Sequence, residues 1–203
     1  EVYVARGFFD QRYYKDGSME GPGNYRDSSK FKKAAEEEGI SFIILDDYKK
    51  ISNNLYATGT VERVVEKYNG PKGFYLDKDL TIPDIIRDDQ SVGMLTDNGW
   101  IMMSGCGHSG IINTAMKLQS IKNEPVYGAI GGFHLFKASD NTISTTANWL
   151  KDNGLTKFMG GHCTGIYAAE TIADIIGITR ENLSHTAIGS VLTKELKIIR
   201  SSV

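Results

Sequence analysis

A chain of 203 residues, 40% hydrophobic and 24% charged, is long enough to bury one substantial core. Its formal net charge of −2 offers no basic field to hold a phosphate backbone, which argues against nucleic acid and for a small-molecule partner. The longest apolar stretches, 41–45 and 128–135, fall far short of the roughly 18–20 residues of a spanning helix, so the reading is a soluble chain without membrane contact.

Residues 1–5 alternate like a strand end and lack the basic start and apolar core of a signal peptide, so the cytoplasm is the default location. An aromatic, arginine-containing segment (8–14) leads into a Gly/Asp/Ser-rich loop over 16–29. Ser28 or Ser29 can cap a helix to about Glu38, ending at Gly39; Lys30, Lys32, Lys33 and Glu36 to Glu38 read as its solvated face. Strands are expected at 41–45 and 55–60, and a turn at Asn69-Gly70-Pro71. Apolar runs 92–96 and 100–104 flank Asp97-Asn98-Gly99, a strong hairpin signal. A regular alternation follows: helix 109–121, strand 126–130, helix 143–152, strand 157–159 and helix 164–176. With no fixed-period repeat or low-complexity tract, this pattern predicts a single α/β layered domain over 1–203.

The junctions of those units carry the chemistry. Strands end in Gly105-Cys106-Gly107-His108, Gly131-Gly132-Phe133-His134 and Gly160-Gly161-His162, and these are three of only four histidines. The separations, 108 to 134 and 134 to 162, each match one strand-turn-helix unit. If the strands run parallel, their C-terminal ends share an edge and the three imidazoles converge there. Imidazole suits zinc, iron, nickel or copper, and a histidine cluster with an open position suits a catalytic ion that acidifies water to a pKa of about 7. The plainer alternative is three hydrogen-bonded turn histidines. His185 has no such context and reads as structural.

Cys106 lies two residues before His108 and Cys163 adjoins His162, so a Cys/His structural zinc, a single disulfide or a nucleophilic cysteine are rival schemes. Paired C-x-x-C or H-x-x-x-H elements are absent, which weakens the first. No G-x-S-x-G element supports Ser104 or Ser109 as a nucleophile.

Ser104-Gly105-Cys106-Gly107-His108-Ser109-Gly110-Ile111-Ile112-Asn113-Thr114, with the hairpin before it, resembles the third metal-ligand motif of the metallo-β-lactamase superfamily. Gly131-Gly132-Phe133-His134-Leu135 and Gly160-Gly161-His162-Cys163-Thr164-Gly165 are similar to the branch related to the dihydropterin-linked ribofuranosyl-aminobenzene phosphate synthase. The resemblance runs from the aromatic segment to the last helix. It implies an αββα sandwich of mixed sheets flanked by helices, with His108 and His162 as metal ligands. His134 stands where most relatives place a bridging aspartate, so it either ligates a metal or meets the substrate as a catalytic group. The H-x-H-x-D-H motif of the first metal site is missing, which implies that Glu1 begins partway through the domain and that this is its downstream part, lacking the N-terminal portion.

The resemblance therefore implies a metal-dependent hydrolase of a small-molecule ester, lactone, amide or phosphate, using one or two divalent ions, zinc first with iron or manganese as alternatives. An upstream segment of the same domain and a homo-oligomer are the expected partners. The alternatives are a pterin-condensing transferase and a non-catalytic metal-binding or scaffold protein. Phe8, Phe9, Arg12, Tyr13, Tyr14 and Tyr25 are candidates to line a pocket for a flat aromatic ligand, with core packing as the alternative.

Overall fold

The computed structural model describes residues 1–16, 18–20, 27–67 and 72–201. In chain order the elements are β1 (Val2–Ala5), β2 (Arg12–Tyr14), β3 (Met19–Glu20), α1 (Ser28–Glu37), β4 (Phe42–Leu45), β5 (Lys49–Lys50) and β6 (Leu55–Ala57). Then come β7 (Phe74–Tyr75), β8 (Ser91–Thr96), β9 (Gly99–Ser104), α2 (Ile111–Ile121), β10 (Val126–Gly131) and α3 (Asp140–Asp152). The chain closes with β11 (Lys157–Gly160), α4 (Ile166–Ile176), β12 (Leu183–Ser184), β13 (Val191–Leu192) and β14 (Ile198–Ile199).

A seven-stranded sheet in the order β12-β11-β10-β9-β8-β6-β5 dominates. Its four strands β9 to β12 run parallel, and β8, β6 and β5 add an antiparallel flank. Each helix after β9 carries the chain one strand further in the same direction. Right-handed crossovers therefore place α2, α3 and α4 on one face, and α3 packs against both of the others.

Alternation along β9 shows how the sheet is buried. Trp100 and Met102 face the helices, in a core with Leu118, Val126, Leu150 and Phe158. Ile101 points the other way and is also fully buried, so a second layer covers the opposite face. The parallel pair β1 and β4 is tied to the large sheet by Gln90 Nε2, which donates to Tyr3 O at 2.8 Å. A three-stranded sheet, β3-β2-β7, and a β13-β14 hairpin complete the described architecture. None of the described helices is long and apolar enough to cross a membrane.

Several boundaries move, each for a local reason. Asp27, one residue ahead of the expected serines, caps α1 by accepting from Ser29 N at 2.9 Å. Helix α3 starts at Asp140 rather than 143 because Ser139 Oγ accepts from Thr142 N at 3.2 Å. A 3-10 turn over His162–Thr164 delays α4 to Ile166. The aromatic segment goes into packing: Phe8, Phe9, Phe31 and Phe42 form a cluster, with the Phe9 and Phe42 ring centroids 5.0 Å apart, and Tyr14 lies 4.9 Å from Phe74. Arg12 is held by Asp84 at 2.6 Å and by Asp88, Asp84 being almost wholly buried. Tyr25 and the Asn69-Gly70-Pro71 turn lie outside the described residues.

Candidate functional site

Register places the site. Ser104 at the end of β9 lies opposite Gly131 of β10, and Gly131 lies opposite Gly160 of β11, so the three strands stop in line. The turns beyond them are joined by backbone. Gly132 N donates to Ser104 O and Gly105 O at 3.3 and 3.1 Å, and Gly161 N donates to Gly131 O at 2.9 Å. This contact requires glycine at 131: its φ is +118°, and a Cβ would stand 1.9 Å from Ser104 O. Thr164 Oγ1 links the last two turns, accepting from Phe133 N and donating to Gly131 O, each at 3.1 Å.

On this plate the His108 and His134 rings sit with centroids 4.4 Å apart. Burial lowers the pKa of both imidazoles; His134 and Arg63 add to the effect on His108, His162 and Lys137 to that on His134, and Asp89 opposes both. Neutral rings keep a lone pair for a metal ion. His134 Nδ1 is buried without a hydrogen-bond partner among the described residues, the kind of orphaned donor atom that ligation would satisfy. His134 and His162 both hold left-handed backbone, at φ +48° and +50°, which is uncommon outside glycine. The imidazole donor set fits a divalent transition ion.

His162 is exposed and sits against a thiol, with Nε2 3.0 Å from Cys106 Sγ. Cys163 Sγ donates to Cys106 O at 3.1 Å and accepts from His134 N at 3.3 Å. Among the described residues, Cys106, His162 and Cys163 form a group whose ligand atoms all lie within 4.8 Å of one another. Both thiols are free. Burial and the neighbouring Cys163 push the Cys106 thiol up to about 11. The attachment of both cysteines to histidine turns was visible in the chain, whereas their convergence across separate strands was not. His185, read as structural, lies elsewhere, with Nε2 2.6 Å from Glu170 Oε1.

A cavity of about 570 Å³ opens beside His108 and His134, lined also by Glu66, Phe133, Lys137 and Thr142. Two supporting residues escaped the sequence reading. Asn113, buried at 3% exposure, accepts from Val64 N and Val65 N at 3.1 and 2.9 Å and donates to Glu66 O and Ser109 O, both at 2.8 Å. Glu66 accepts from Ile112 N and Asn113 N at 2.6 and 3.1 Å, serving as the side-chain cap that Gly110 cannot supply. Burial raises the Glu66 carboxyl pKa against the pull of those N–H groups.

This chain has the metallo-β-lactamase fold, a large mixed sheet with helices packed on it. A solved metal-dependent hydrolase of the β-lactamase superfamily superposes with a TM-score of 0.71 over 92% of this chain and 69% of that one, at 20% identity. The 7,8-dihydropterin-6-methyl-4-(β-D-ribofuranosyl)-aminobenzene-5′-phosphate synthase of Methanocaldococcus jannaschii is 33% identical over 143 residues, 68% of this chain. A second protein of that organism, described only as uncharacterized, is 31% identical over 135 residues, 65% of this chain. The chain spans 48% of the length of each of these two relatives. No protein-family model matches it.

Proposed function

We propose that this chain supplies the histidine edge of a metal-dependent hydrolase that acts on a small-molecule ester, lactone, amide or phosphate. The observation that carries this reading is the in-line ending of β9, β10 and β11, which brings His108 and His134 together at the mouth of a cavity of about 570 Å³. That volume is within the usual range for small-molecule sites. His108 and His134 would hold the ion, zinc first, with His162 as a further ligand. A divalent ion there supplies Lewis acidity, polarising a carbonyl or phosphoryl oxygen and acidifying water.

The chain's own residues position and select. Phe133 and Leu135 give the cavity apolar walls that exclude water, and the Lys137 ammonium at its rim favours an anionic group on the substrate. Neutral His134 bears the unsatisfied Nδ1, so it ligates, or accepts a proton from substrate, at that atom. On this reading a segment upstream in the same domain contributes the remaining ligands and a carboxylate general base.

The identity with the pterin-linked synthase favours a second reading, a pterin-condensing transferase that loses a leaving group without attack by water. Turnover in ¹⁸O-labelled water separates the two: label in the product supports hydrolysis, and its absence with product formed supports condensation. If full-length protein binds no metal and His108→Ala and His134→Ala change nothing, neither enzyme reading stands and a scaffold protein is left.

A further inference from the structure

We propose that Cys106, His162 and Cys163 form a sulfur-rich site for a soft divalent ion, zinc by preference, distinct in donor chemistry from the His108 and His134 pair. The ligand atoms of the three residues lie within 4.8 Å of one another. Around a tetrahedral zinc, bond lengths of about 2.3 Å to sulfur and 2.0–2.1 Å to nitrogen separate neighbouring donors by about 3.5–3.8 Å. The Cys106 to His162 contact of 3.0 Å is slightly tighter than this. Small side-chain rotations therefore bring all three donors to bonding distance.

One contact favours the Cys163 sulfur as a ligand, whereas burial keeps the Cys106 thiol protonated until an ion displaces its proton. His134 N is 3.3 Å from Cys163 Sγ, and an N–H directed at sulfur stabilises a thiolate more than a thiol. Gly132 lies between the two cysteine turns, where a Cβ would stand 2.9 Å from Cys163 Sγ and 3.2 Å from Cys106 Cα. Only a residue without a side chain leaves the two turns that close. His162 is exposed, and three protein donors would leave one coordination position open, as in sites where an ion keeps one exchangeable ligand.

Binding requires both thiols to give up their protons, so each ion taken up releases two protons to solvent. Two thiolates neutralise a divalent ion, whereas neutral imidazoles leave it fully charged. The sulfur site would therefore be the softer and less electrophilic of the two. The neutral His162 imidazole has one lone pair, so the sulfur site and the proposed hydrolytic centre compete for it, and the sulfur site requires no hydrolysis.

Cobalt(II) titration of the reduced full-length protein tests the proposal. We expect a sulfur-to-cobalt charge-transfer band in the near ultraviolet that weakens in Cys106→Ser and Cys163→Ser and persists in His108→Ala, where it saturates at one equivalent. As a readout that needs no variant, zinc in excess over its Kd should slow alkylation of the Cys106 and Cys163 peptides at least about tenfold, because protection grows with the bound fraction. Cobalt bound without a sulfur band would overturn the proposal, as would equal alkylation rates with and without zinc. A Cys106–Cys163 disulfide forming equally fast in the presence of zinc would overturn it in favour of an oxidisable pair. Because the band is expected to survive in His108→Ala, failure of the imidazole centre and failure of the sulfur site read out separately.

Discussion

Asn113 offers the sharpest test of how the His108 turn is held. Its side chain joins the 64–66 segment to the start of α2, accepting two close N–H bonds and donating two, with Glu66 N a longer third donor at 3.4 Å. Val64 and Val65 are exposed, so water can replace the carboxamide oxygen at their N–H groups. The donor half is less replaceable, because Asn113 is buried and Ser109 O and Glu66 O would lose the amide. At about 1 kcal/mol net per bond, with some water compensation, Asn113→Ala should cost roughly 3 kcal/mol. For a chain of this size that is a fall in Tm of roughly 6–12 °C. Asn113→Asp separates the halves: it keeps an acceptor but sets carboxylate oxygen against two carbonyls. It should be at least as damaging at pH 7 and partly recover as the pH falls and the new carboxyl takes up a proton. Calorimetry across pH on both variants checks this. An aspartate variant as stable as wild type at pH 7 would show that the two donated bonds contribute nothing net and would refute the reasoning.

Gly131→Ala combines unfavourable φ with a Cβ 1.9 Å from backbone oxygen; it should disrupt the edge, cutting metal content and Tm together, as elemental analysis and calorimetry would report. Arg12→Ala strands buried Asp84 without its guanidinium and should cost roughly 3 kcal/mol in urea denaturation, whereas a surface pair would lose under 1. The depressed pKa values of His108 and His134 set a pH window. The unfolded state protonates first, so metal-free stability is intact above the ordinary imidazole pKa of about 6.5 and declines as pH falls through it. The fall in urea midpoint between pH 7.5 and 5.5 should therefore shrink in a His108→Gln/His134→Gln variant. Lys137→Ala should raise KM roughly threefold for an anionic substrate and leave a neutral one unchanged, a difference that high salt should erase.

The parallel β-α alternation and the glycine-histidine junctions were legible because they are local: one hairpin turn at Asp97-Asn98-Gly99 and three short runs at strand ends. Propensity also located most helices, although Ser139 began α3 early through a cap that the apolar period does not register. What the chain hid depends on long-range approach. Arg12 meets Asp84, Glu66 caps α2 beside Asn113, and Cys106 meets His162, all between residues far apart in sequence. The aromatic segment left both readings open for a related reason: a ring suited to a ligand is equally suited to another ring, and Phe31 and Phe42 were the available partners.

The left-handed backbone at His134 and His162 bears on how such a site persists. Each non-glycine residue held there costs about 1–2 kcal/mol that glycine would not. Stability alone would favour glycine or asparagine at both places, since either relaxes the turn. Two imidazoles kept at positions where the backbone disfavours them are a standing expense against folding, and a lineage that stopped using the edge would be expected to shed them before it lost anything in the core.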